Sequence, residues 1–189
     1  DNSVENEAEV EFDASEPELS EEVIVEDEED GDAIVENDLT SEESVDAAGS
    51  NISSGKCGDD LTWILDDNGF SCTLTISGTG DMYDYSNTKC PWAGKNFRWV
   101  VIGDEVTSIG ANAFSYCGII GDLRLTGVRK IGEYAFYDCT CLNSIEMPQV
   151  ETIGKNAFYG CHSLTSVKFP RAKVLENHAF DFCDELVSI

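Results

Sequence analysis

Basic residues are scarce in this chain and absent from its first 55 positions. Residues 1–55 hold 21 Asp and Glu and no Lys or Arg, so they carry −21 of a formal net charge of −27. The other 17 acids and all 11 bases lie in residues 56–189, which are only mildly acidic. A leader of that sign repels phosphate backbones and anionic lipid heads, which disfavours nucleic-acid or membrane-surface binding through it. Apolar runs are short, and none approaches the roughly 18 residues of a membrane-spanning helix. Histidine is limited to His162 and His178. No G-x-S-x-G, H-E-x-x-H or phosphate-cradling glycine loop occurs, so no catalytic residue, cofactor or metal site is expected.

Within the leader, apolar residues come singly or in threes, and Phe12 is its only aromatic. Such a segment buries too little to offset its ordering entropy, so residues 1–55 are expected to be a disordered acidic linker. A calcium loop around Gly31 would need an acid at its twelfth position, where Asn37 stands. The chain opens on Asp1 rather than Met, as expected of a processed or trimmed chain.

Residues 56–96 read as a β-rich block. Leu61, Trp63 and Leu65 alternate on one face of "LTWILDD", "DDNG" supplies a turn, and Leu74 and Ile76 alternate in "CTLTISGTG". Two alternating runs around Asn-Gly predict a β-hairpin. The block has no copy elsewhere and stands where a solenoid needs a cap over its first apolar coil.

Residues 97–189 repeat. "IGANAFSYC", "IGEYAFYDC" and "IGKNAFYGC" are followed by the worn copy "LENHAFDFC", which places Phe114, Phe136, Phe158 and Phe180 at intervals of 22 residues. Each motif is expected to form a short helical or 3₁₀ turn whose Ala and Phe fill the core, with the glycine after Ile allowing a sharp change of direction. The triplets Ile120/Leu123/Leu125, Leu142/Ile145/Met147 and Leu164/Val167/Phe169 have the L-x-x-L-x-L spacing of a leucine-rich-repeat strand. Alternation sends the second and third members inward and the residues between them outward. In "FRWVVIG", Val100 and Ile102 read inward, and Trp99 and Val101 outward. The outward residues Trp99, Val101, Arg124, Glu146 and Lys168 are the candidate ligand-binding face; mixed charge without an aromatic stripe does not resemble a nucleic-acid surface.

Cys117, Cys139, Cys161 and Cys183 share the period and read as a buried ladder of small hydrophobes beside the phenylalanines, with a disulfide between neighbouring coils as the alternative. Cys139-Thr140-Cys141 lacks the second pair that a zinc site wants. Cys161-His162 invites a nucleophile–base reading, but adjacent side chains diverge, and the period sends Cys161 inward. Cys57, Cys72 and Cys90 are better disulfide candidates; their pairing, and that of Cys141, stays open.

Together these residues resemble the BspA-like leucine-rich repeat family, whose pattern is similar to L-x-S-I-x-x-P-x-x-V-x-x-I-G-x-x-A-F-x-x-C. "SIEMP" and "SVKFP" keep the proline after the strand. "GKCGDDLTWILDDNG" with "LTISGTGDMYDY" and "CPW" resembles the block that often precedes such repeats in secreted proteins of gut-dwelling anaerobic bacteria. The likeness spans about residues 55–189. It implies a bacterial cell-surface or secreted location and a non-catalytic role in adhesion, binding an extracellular or host protein or glycan.

The expected fold is therefore an α/β, β-rich, right-handed leucine-rich-repeat solenoid with short helical or 3₁₀ turns, an amino-terminal hairpin cap (56–96) and a disordered leader (1–55). The chain stops at "ELVSI", in mid-strand, so the repeats of 97–189 are expected to continue in a longer protein. Two alternatives follow: a targeting domain of a larger surface hydrolase, and self-association through the open carboxy-terminal coil.

Overall fold

In the computed structural model, residues 42–45, 51–86 and 89–187 are described, the first of these segments by its backbone alone. The strands in chain order are β1 (Glu42–Val45), β2 (Asn51–Lys56), β3 (Asp60–Asp67), β4 (Cys72–Asp81), β5 (Asn96–Phe97), β6 (Trp99–Ile102) and β7 (Val106–Ile109). They continue as β8 (Gly118–Ile119), β9 (Gly121–Arg124), β10 (Lys130–Ile131), β11 (Leu142–Glu146), β12 (Thr152–Ile153), β13 (Ser166–Lys168) and β14 (Val174–Leu175). Most of the expected disordered leader lies outside the described residues. Within it, β1 and β2 pair antiparallel, and β2 pairs antiparallel with β3, so structure begins before Lys56.

The alternating run of β3 sends Leu61, Trp63 and Leu65 into the core, and β4 pairs with it antiparallel from Asp60↔Thr79 to Asp67↔Cys72. After β4 every pairing is parallel. β4 feeds the ladder β7–β10–β12–β14, one short strand per coil, and also holds β6 on its other reach. The leucine-rich positions form a second parallel sheet, β9–β11–β13, and β5 pairs with β8. Leu123, Ile145 and Val167 lie in register and are buried, as are Leu125 and Met147 at the strand ends. The result is a β-rich solenoid of about five turns.

The turns differ from expectation. Among the described residues there is no helix, so the α part of α/β and the helical or 3₁₀ turns give way to isolated i→i+3 turns. The cause is a left-handed residue every fourth position: Asn112 and Tyr116, Tyr134 and Asp138, Asn156 and Gly160, His178 and Phe182, with φ of 54–73°. Each breaks helical propagation and turns alternate amides along the solenoid axis. Ala113, Ser115 and Cys117 close turns onto the Gly110, Asn112 and Phe114 carbonyls, while Phe114 and Tyr116 donate to Ala135 and Tyr137 of the next coil at 2.8 and 2.7 Å. For a non-glycine residue that conformation costs roughly 1–2 kcal/mol, which inter-coil hydrogen bonds and core burial offset.

The side chains of these turns fill the core. Phe114, Phe136, Phe158 and Phe180 stack at centroid separations of 5.2, 5.1 and 5.1 Å, nearly parallel. Burying each ring is worth roughly 2–3 kcal/mol. Trp92 sits 22 residues before Phe114, buried, 5.8 Å from its ring, with Nε1 donating to the Ala113 carbonyl at 2.8 Å. The periodic packing thus starts one coil before residue 97. Gly132 and Gly154 do not have positive φ; the constraint on them is proximity. A Cβ on Gly154 would lie 2.8 Å from backbone atoms of Gly132 and Glu133. Among the described residues, no helix is long and apolar enough to cross a membrane.

Candidate functional site

Strand register assembles the outward face from β9, β11 and β13. One row is Asp122, Ser144 and Ser166; the next is Arg124, Glu146 and Lys168. Glu146 sits between two cations, with Oε2 3.2 Å from Arg124 Nη1 and Oε1 3.5 Å from Lys168 Nζ. Ser144 Oγ donates to Asp122 Oδ1 at 2.7 Å. These groups line a shallow depression of about 220 Å³ floored by Leu123 and Ile145. Two acids and two bases leave the face without net charge. Its ion pairs are exposed and worth little individually, so a partner's charges can replace them at small cost.

Trp99 and Val101 do not join that row. They stand on β6, which pairs with β4 rather than β9, so the five candidate residues fall on two sheets. Beside the second strand row, Gly121 has φ of 98° and the β9–β11 register is irregular between Leu142 and Ser144. Ile120, aligned with Leu142 in the repeat, is 55% exposed, and Ile119 is buried in its place. Trp99 (61% exposed) and Val101 (51%) make an apolar patch with Ile64, which meets Val101 across Thr75. Arg98 lies 5.7 Å from the Trp99 ring.

The cysteines occupy the core side of each turn. All eight are free thiols; only Cys141 is exposed, and Cys183 is half-buried. Cys139, Cys161 and Cys183 each donate their thiol to the phenylalanine carbonyl of the preceding coil, at 3.1, 3.2 and 3.2 Å. Burial pushes the Cys139 and Cys161 thiols well above their ordinary range, and Cys57 up to about 12. Cys161 and His162 do not form a dyad: the thiol faces Phe136, while His162 Nδ1 is 2.7 Å from Asp184 Oδ2 at the surface. Among the described residues, no group of three or more His, Cys, Asp or Glu is arranged to hold a metal ion.

One feature of the turns has no counterpart in the repeat pattern. Tyr116, Tyr137, Tyr159 and Phe182 touch in sequence across four coils, at centroid separations of 5.4, 5.0 and 4.9 Å, and Tyr134 packs on Tyr137 at 5.5 Å. A single aromatic at either F+1 or F+2 of each successive motif (Tyr116, Tyr137, Tyr159, Phe182) is the sequence signal for it.

Parallel ladders, a stacked phenylalanine core and a period of 22 residues define a leucine-rich-repeat solenoid. The chain belongs to the BspA type leucine rich repeat family, whose pattern matches residues 89–189 in six copies. That start agrees with Trp92 standing in the phenylalanine place. No curated protein matches the sequence. Among solved structures, the chain is similar to a leucine-rich repeat protein from Eubacterium ventriosum ATCC 27560, with 21% identity and a TM-score of 0.43. That match covers 66% of this chain and 44% of the other.

Proposed function

We propose that this chain is a protein-interaction module of a bacterial surface or secreted protein, with no reaction of its own, and that it binds through the outward face of β9, β11 and β13. The observation that carries this reading is the register of Arg124, Glu146 and Lys168 over a rigid inward row, Leu123, Ile145 and Val167. Membership in the BspA-type repeat family supports both the interaction role and the extracellular location. In the same reading, β2, β3 and β4 cap the first coil, Trp99 and Val101 extend the contact area onto the cap, and residues upstream of β1 act as a solvated acidic spacer.

A binding screen of the chain against immobilised extracellular matrix proteins and glycans tests the proposal. A protein ligand is expected, with binding weakened about tenfold by Arg124→Ala combined with Lys168→Ala and less by Trp99→Ala. Binding unchanged by all three substitutions would sink the strand-face assignment.

A further inference from the structure

The two outward rows of β9, β11 and β13 run along the solenoid axis, one residue per coil, and they differ in reach. Asp122, Ser144 and Ser166 are short, whereas Arg124, Glu146 and Lys168 are long and wall one side of the depression. In the long row the cations stand clear, with side chains 66% and 69% exposed, while Glu146 between them is 38% exposed. The charge therefore runs plus, minus, plus over two coil steps. Neighbouring strands lie about 4.8 Å apart, and the phenylalanines of the same coils repeat at 5.2 and 5.1 Å. The two cations thus stem from backbone positions about 10 Å apart.

A complementary partner must present minus, plus, minus at that pitch. On an α-helix, residues i, i+4 and i+7 share a face and span about 10.5 Å. Alternate residues of a strand, i, i+2 and i+4, span about 13 Å. Residues i, i+3 and i+6 of a polyproline-type chain span about 19 Å. The helix matches to within about 1 Å, and the extended forms overshoot by about 3 Å or more. The short row favours the same occupant, because Ser144 and Ser166 leave room for a helix body beside the charged wall. A sugar finds no aromatic face to stack on, since neither row carries a ring. A second copy does not supply the helix, because there is none among the described residues.

We infer that the face of β9, β11 and β13 seats one α-helix of a partner protein, laid along the solenoid axis. Two helix acids meet Arg124 and Lys168, a lysine or arginine between them reaches down to Glu146, and small residues lie over Ser144 and Ser166. The inference rests on the strand-face reading above and names the partner that face takes.

The test is fluorescence anisotropy of the full chain with a labelled, alanine-rich helical peptide of about 20 residues carrying Glu, Lys and Glu at i, i+4 and i+7. Its isomer has the same composition with those charges at i, i+2 and i+5, which spreads them around the helix. Equal net charge cancels non-specific interaction with the acidic leader. The striped peptide is expected to bind about tenfold tighter, and Arg124→Ala with Lys168→Ala to remove that preference. Glu146→Lys is expected to transfer the preference to a peptide with Glu at all three places, which a merely steric role would not do. A proline in place of a central alanine breaks the helix without altering charge and is expected to abolish binding. Unchanged melting curves for the variants separate lost binding from lost fold. No binding at about 1 mM peptide, equal affinity of the two isomers, a preference that survives the double variant, or undiminished binding of the proline peptide each overturns the proposal. A screened protein ligand that depends on Arg124 and Lys168, with peptides that do not discriminate, would leave the strand face standing and remove only the helix.

Discussion

Cys139 lies one coil beyond Phe114 and donates its thiol to the Phe114 carbonyl at 3.1 Å, an oxygen that also accepts from the Cys117 amide at 3.0 Å. The ladder cysteine is thus both a small hydrophobe and a hydrogen-bond donor that ties two coils together. Burial keeps it protonated, and that sets its reactivity, since the thiolate is the nucleophile. Alkylation of the native chain at neutral pH is expected to modify Cys141 quickly and Cys139 and Cys161 only after unfolding. Peptide mapping reads this directly, and rapid labelling of Cys139 would refute the packing. The sign of the pH effect follows. Above the ordinary thiol range, near 8.5–9, unfolded cysteines lose protons that the folded ladder retains. Stability is expected to be intact below that range and to fall as pH rises through it.

The phenylalanine stack predicts a graded cost. Phe136→Ala and Phe158→Ala each remove a ring with neighbours on both faces and are expected to cost about 3–5 kcal/mol. Phe180 is only partly buried, so Phe180→Ala should cost distinctly less. Urea unfolding of the three variants measures the ranking; equal losses would show that the rings do not pack as a continuous column.

Much of this architecture is legible in the chain because a solenoid writes each contact as a fixed interval. Phe114 to Phe136 is both a sequence period and a stacking distance, and Ile145 faces inward for the same reason as Val167. Three features escape that logic. Trp92 holds the rung before Phe114 under a different residue name. The "NAF" segments look helical locally, but left-handed residues such as Asn112 and Asn156 hand alternate amides to the next coil. Strand β6 pairs with β4 rather than β9, which puts Trp99 and Val101 off the sheet that carries Arg124. The aromatic ribbon was hidden for a related reason: Tyr137 and Tyr159 share a column, whereas Tyr116 and Phe182 come from the column beside it.

The motif glycines predict opposite responses to substitution. At Gly154 a Cβ would press on the Gly132–Glu133 backbone at 2.8 Å, which cannot yield like a flexible side chain. Gly154→Ala is expected to cost about 1–3 kcal/mol from overpacking. Gly160→Asn, at a site where other coils carry Asp138 and Phe182, is expected to cost less than 1 kcal/mol. Thermal melts of the two variants compare them side by side, and a milder effect at Gly154 would contradict the inter-coil spacing.

Where the hairpin hands over to the solenoid, Asp81 accepts a hydrogen bond from Thr107 Oγ1 at 2.6 Å. That hydroxyl, then Ser108 and the charge of Lys130, holds the Asp81 carboxyl below its ordinary value. A carboxyl depressed in the folded state contributes stability above its unfolded pKa and loses it as pH falls through the folded one. Because Asp81 is exposed, solvent screening limits the contribution to under about 1 kcal/mol. Thr107→Val is expected to raise the Asp81 pKa toward the ordinary range, read from its carboxyl carbon shift in an NMR titration. The parent's stability advantage over the variant should be present at neutral pH and shrink below pH ~4. An Asp81 titration that is the same in parent and variant would mean that this contact does not bind β4 to the first coil.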